Sequence, residues 1–227
     1  MKKLSRLLIT LSFLIIISFG VVNADDFGYW STYTIDSEVN DKLKIRAIEE
    51  FHIEDDISEF NVNEIYFGPI YKLNDMISTG IFYKNVQAKS GDKWNTTNRM
   101  VMDLYSTNNL KNLNYFFSDI NWWDIKIDGR NRMEYNATKG TWLYRTRIGI
   151  AKDFEIADRT YTPFINNEMF INLNDNFEYN ENRAIIGVGT DFVFGTKIKV
   201  YYMSRMKKGS TKWTNANILC TSISYKF

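Results

Sequence analysis

The chain ends in Asn217-Ile218-Leu219-Cys220-Thr221-Ser222-Ile223-Ser224-Tyr225-Lys226-Phe227. Side chains along a strand alternate between two faces. Leu219, Thr221, Ile223, Tyr225 and Phe227 therefore share one face, and Cys220, Ser222, Ser224 and Lys226 share the other. The first face is apolar or aromatic; the second is small and polar. Two architectures supply such a contrast. In a soluble sandwich or lipocalin-like barrel the apolar face is the core. In a membrane barrel it is the outside, and the polar face lines the interior.

The start of the chain bears on that choice. Lys2, Lys3 and Arg6 precede an apolar run from Leu7 to Val22, broken only by Thr10, Ser12, Ser18 and Gly20. Val22-Asn23-Ala24 places short residues at the −3 and −1 positions of a cleavage site. The pattern predicts a secretory signal peptide over residues 1–24, cut after Ala24, and a single mature domain over residues 25–227. An uncleaved anchor is the rival, but the apolar run is short for one and the cleavage site is good. No later run approaches the roughly 20 apolar residues a transmembrane helix needs.

Lys and Arg total 28 against 27 Asp and Glu, and removal of Lys2, Lys3 and Arg6 makes the balance slightly negative. Nothing in that balance calls for a nucleic-acid partner. Cys220 is the single cysteine, so no internal disulfide forms; it falls on the small-residue face and packs there. Aromatic residues make up 16% of the chain and only 2 prolines occur. Strand formers are spread throughout, punctuated by Asn, Asp, Gly and Lys, which predicts an all-β domain.

Strands are expected at about 27–35, 42–53, 60–71, 76–87, 97–106, 122–135, 141–154, 162–173, 183–194, 197–206 and 214–227. Their lengths suit tilted strands crossing a bilayer. Trp123, Ile125, Ile127, Gly129, Asn131, Met133 and Tyr135 alternate with Asp124, Lys126, Asp128, Arg130, Arg132 and Glu134. Ala184, Ile186, Val188, Thr190, Phe192 and Phe194 oppose Arg183, Gly187, Gly189 and Asp191. The apolar faces end in Tyr, Trp or Phe, as aromatic girdles do, and charges of both signs share the other face. The closing strand resembles the terminal strand that bacterial outer-membrane barrels present to their assembly machinery, with Ile223, Tyr225 and Phe227 as its signal. Together these features predict an antiparallel, up-and-down transmembrane β-barrel in the outer membrane of a Gram-negative bacterium. Membrane lipid and the assembly machinery are its expected partners.

Single-chain bacterial barrels use even strand numbers. About twelve strands are therefore expected, with 110–118 as the missing one, or ten if the first strand does not span. Even parity would put both chain ends in the periplasm. Loops near 136–141, 174–182 and 207–213 would then face outward, and turns near 155–161 and 195–196 the periplasm.

Followed around the barrel, the alternation sends Lys44, Arg46, Glu50 and His52 inward on one strand, and Arg99 and Asp103 on another. Arg130, Arg132 and Glu134 meet Arg145 and Arg147 across a hairpin, followed by Glu168, Arg183, Asp191, Lys197, Lys199 and Arg205. Such charges cannot face lipid, where a cation at mid-bilayer costs roughly 2–4 kcal/mol. Either the arginines form an electropositive constriction of a narrow, porin-like channel, or they pair with Glu50, Glu134, Glu168 and Asp191 and fill the interior. In the second case the barrel is a plugged structural or surface-interaction protein.

A third reading, a lipid-modifying outer-membrane enzyme, rests on His52, the sole histidine, near Glu50, Glu54 and Asp55. It lacks a placed nucleophile, since Ser58 is merely nearby in sequence. A solvated histidine beside an acidic loop is the simpler account. Glu54, Asp55 and Asp56 match no calcium-loop spacing, so no metal is expected. Gly187-x-Gly189 lies inside a strand, where it relieves crowding or permits bending. No cofactor motif is present.

The order of several short motifs resembles the domain-of-unknown-function 2490 family of bacterial outer-membrane proteins. They are Trp30; Glu49-Glu50-Phe51-His52; Arg130-Asn131-Arg132-Met133-Glu134-Tyr135; Arg145-Thr146-Arg147; Pro163-Phe164 with Glu168-Met169-Phe170; Asn182-Arg183 leading to Gly187; and Tyr225-Lys226-Phe227. His52 stands where that pattern would have Arg. The resemblance implies an outer-membrane barrel and no particular substrate or reaction.

Overall fold

A computed structural model describes residues 24–109, 125–174, 177–209 and 211–227. Twelve strands form one sheet: β1 (Asp26–Glu38), β2 (Leu43–Glu54), β3 (Glu59–Lys72), β4 (Ile77–Ser90), β5 (Lys93–Asn109), β6 (Ile125–Asn136), β7 (Thr141–Lys152), β8 (Phe154–Ile156), β9 (Arg159–Asn172), β10 (Glu178–Asp191), β11 (Thr196–Lys208) and β12 (Trp213–Lys226). Eleven of them close a barrel in chain order, β7 pairing with β9 and β12 with β1. The short β8 pairs only with β9.

Each of the eleven segments read as a strand is a wall strand, with ends shifted by a few residues. The proposed segment 110–118 lies outside the described residues. β5 and β6 pair directly, from Arg99↔Asn136 to Asn109↔Lys126, so no strand stands between them. The twelfth strand is β8.

An odd wall has a topological consequence. Antiparallel neighbours alternate direction, so the first and last of eleven strands run the same way. β1 and β12 are parallel, from Asp26↔Ala216 to Asp36↔Lys226. The described chain ends therefore lie at opposite ends of the barrel, contrary to the expectation that both share one side. The connections expected to face outward (136–141, 174–182 and 207–213) do share one end, that of Asp26. Those near 155–161 and 195–196 share the Phe227 end.

The apolar faces point out. Phe67 is 59% exposed, Ile148 62% and Ile165 61%, while the inward Lys84 is 2%, Glu134 1% and Glu168 3% exposed. This inverts a soluble fold, because ionised side chains are almost never fully buried unless paired. Aromatic contacts gather toward the Asp26 end of the outer wall: Phe60 with Trp94, Tyr135 with Trp142, and Tyr179 with Trp213. Tyr225 and Phe227 stack at the other end.

Two small apolar clusters lie among the inward residues: Trp30, Met203, Ile218 and Cys220 in one, and Ile70, Phe82 and Val101 in the other. Cys220 packs as expected. Pro69 interrupts the ladder to β4, where pairing passes from Phe67↔Tyr83 to Ile70↔Gly80. Proline has no N–H to offer there. At Gly68 a Cβ would collide with the Ile81 carbonyl oxygen, so only glycine permits this approach of β3 to β4.

Candidate functional site

Register builds the interior charge network. Asp103 lies opposite Arg132, and Arg132 opposite Arg145. One step along, Arg130 is opposite Arg147, Arg147 opposite Glu168, Glu168 opposite Arg183, and Arg183 opposite Arg205. Five strands thus place one charged row across the inner wall.

Glu134 is the hub. Its carboxylate accepts from Arg99 at 3.0 Å and Arg145 at 2.9 Å, with Arg132 at 3.5 Å and Lys84 at 3.8 Å. Arg132 also donates through Nε and Nη2 to the two Asp103 oxygens at 2.6 and 2.7 Å. This two-pronged geometry is the strong form of an arginine–carboxylate pair. Glu168 accepts from Arg130 at 2.5 Å and Arg145 at 3.1 Å. Arg183 reaches Glu181 at 2.6 Å, and Arg205 bridges Glu181 at 3.3 Å to Glu54 at 2.9 Å. On the other flank Lys84 binds Glu64 at 2.8 Å, and the Tyr66 hydroxyl donates to the same carboxylate.

Aromatic plates hold the guanidiniums flat. Arg145 and Arg183 each lie 4.4 Å from the centre of the Phe170 ring, and Arg183 also covers Trp30. Arginine suits this role because its planar cation is weakly hydrated and stacks. The inner wall is thereby lined with opposed charges and rings held against one another.

Of the residues singled out in the sequence, Arg99, Asp103, Arg130, Arg132, Glu134, Arg145, Glu168, Arg183 and Arg205 join this network. The others lie apart. Arg46, with Lys44, holds Asp36. Glu50 is bonded to His52 at 2.8 Å. Arg147 faces Asp128 at 3.4 Å, Lys197 meets Asp191 at 3.1 Å at the Phe227 mouth, and Lys199 lies between them on the inner wall. His52 is not the solvated residue expected of it: it is 6% exposed and stacks on Trp30 with centroids 3.6 Å apart. Ser58 donates to the Asp55 carbonyl.

A family model described as "Protein of unknown function (DUF2490)" matches residues 27–216. The chain belongs to the DUF2490 family. No curated protein and no solved structure matches it. The match begins in β1 and ends in β12, so it covers nearly the whole DUF2490 barrel wall. The charged residues within the motifs that suggested DUF2490 lie mostly on the inner wall. Arg130, Arg132, Glu134, Arg145, Arg147, Glu168 and Arg183 take part in the inner-wall ion pairs, and Glu50 is hydrogen-bonded to His52.

Lys84, Glu64, Asp36 and Glu181 also belong to the interior and were missed. Lys84 follows Gly80 and Phe82 on the inner face of β4, while Ile81 and Tyr83 make the outer face apolar too. A single lysine between two apolar faces gives little phase signal. Glu64 was legible: Ile65, Phe67, Pro69 and Tyr71 are in the outward phase, which puts Glu64 on the inner face of β3. Glu181 was assigned to an external loop, but β10 begins at Glu178 and carries it inside.

Proposed function

We propose that this DUF2490 chain is an outer-membrane β-barrel whose lumen is closed across its middle, so that it works through its mouths and outer surface rather than as an open pore. The observation that carries this is the Glu134 hub, where a 1%-exposed carboxylate is shared among Lys84, Arg99, Arg132 and Arg145. Long side chains reach inward from four neighbouring strands and spend their charge on one another, which disfavours a row of free charges for an ion to follow. In this reading residues 1–24 direct export and are removed after Ala24, and Ile223, Tyr225 and Phe227 address the mature chain to the barrel-assembly machinery. The apolar outer face and its aromatic contacts support insertion in lipid.

Conductance tests the closure. The folded protein in a planar bilayer is expected to be electrically silent at moderate voltage, and Glu134→Ala combined with Arg145→Ala is expected to produce ion steps. Steady ohmic current through the wild-type barrel would instead support the second reading, a narrow anion-preferring channel. The basic residues near the Phe227 mouth favour that alternative. Fractionation of cells tests the location: heat-modifiable protein in the outer-membrane fraction is expected, and recovery only from a soluble fraction would sink it.

A further inference from the structure

Toward the Phe227 end the inward side chains shrink. Ala151 on β7, Thr162 on β9 and Gly189 on β10 succeed the long residues of the middle and border a cavity of about 300 Å³. Beside it, a Cβ at Gly149 would collide with the side-chain oxygen of Asn166, which lines the cavity.

The charges lining this space are Arg147, Lys197, Lys199 and Asp128, three cations to one acid. Their pairing differs in kind from that of the middle. Among the described residues Arg147 has only the long contact of 3.4 Å to Asp128. Lys197 has Asp191, whose side chain is 56% exposed at the mouth. Lys199 has no carboxylate within ion-pair distance among the described residues; its ammonium stands 5.4 Å from the centre of the Phe164 ring. Arg147 Nε and Asn166 Oδ1, both in the lining, are buried polar atoms without a hydrogen-bond partner among the described residues. Buried donors ordinarily find an acceptor.

We propose that this vestibule binds a small organic oxyanion, a phosphate or carboxylate carried on a compact apolar body. Arg147 offers a planar fork of donors suited to an oxyanion. Lys199 and Lys197 add point charges, and Phe164, Ala151 and the Tyr105 ring face the body. Pockets for small molecules begin at about 300 Å³, which restricts the ligand to roughly the size of a single ring or a short chain. Excess cationic charge in a partly enclosed cleft favours doubly charged anions over singly charged ones. The site is independent of whether the middle conducts, so conductance and binding fail separately.

Calorimetry on the folded full-length mature protein in detergent micelles at low salt tests this, with phenyl phosphate and inorganic phosphate as probes. Saturable one-to-one binding of phenyl phosphate is expected, tighter than that of inorganic phosphate. Arg147→Gln and Lys199→Met are each expected to weaken it at least tenfold, and Lys89→Met at the far end to leave it unchanged. Ala151→Leu fills the cavity while keeping every charge, and is expected to abolish binding; it decides the matter if a charge variant misfolds. No saturable binding by wild type, or binding that Ala151→Leu and Lys199→Met leave intact, overturns the proposal. Equal affinity for the two probes overturns its organic part.

Discussion

The middle of the lumen and its Phe227 mouth are made from the same residue types and reach opposite states. In the middle, Arg132 is locked onto Asp103 by two short bonds and shares Glu134 with three other cations. At the mouth, among the described residues, Lys199 has no carboxylate partner and Arg147 has a single long contact. The difference comes from spacing. Glu134 and Glu168 each fall where several cationic rows converge, whereas Asp128 and Asp191 lie off to the side or in water. Charge alone therefore says little about an interior; the placement of the counter-charge decides whether a cation braces the barrel or waits for a ligand.

The strongest way to break this contrast is to remove the hub. Glu134→Ala leaves buried cations facing one another, and breaking a buried pair from one side costs about 3–5 kcal/mol. A matching fall in unfolding free energy from urea titration in micelles is expected. An unchanged midpoint would mean that the middle is as loosely paired as the mouth. Asp103→Asn is gentler, because Arg132 keeps Glu134 at 3.5 Å. About 2 kcal/mol is expected there, the range for a hydrogen bond to a charged group.

The mouth should respond differently. Lys199→Met removes a cation that has no acid to hold, so stability by the same titration should move by less than about 0.5 kcal/mol, or rise. Lys197→Ala breaks only an exposed pair with Asp191, worth about 0–1 kcal/mol and less at high salt. A loss at Lys199 as large as that at Glu134 would erase the distinction between brace and vestibule.

The outline of this arrangement was legible in the sequence because period two is a strong signal wherever the two faces differ sharply. β6 and β12 announce their phase, and the hairpin pairing of Arg130 and Arg132 with Arg147 and Arg145 follows from it. What the sequence concealed has physical reasons. Lys84 lies on a strand with two apolar faces. Glu181 sits so near a polar connection that strand and loop look alike. The odd wall was invisible, because alternation fixes which way a side chain points and carries nothing about the direction of the neighbouring strand. The total of about twelve strands holds, with β8 as a short strand beside an eleven-strand wall; the segment 110–118 lies outside the described residues.

The parallel seam has a kinetic meaning. It joins the first strand to the last, as in the bond between the Tyr29 and Thr221 hydroxyls, 192 residues apart. Parallel pairing is slightly less stable per residue than antiparallel pairing, and contacts this distant in sequence carry the largest loop-closure cost. Every hairpin in the wall forms from chain neighbours; the seam alone must wait for all of them. It should zip last during assembly and breathe first afterwards, so the amides linking β1 to β12 should be among the fastest-exchanging of the wall.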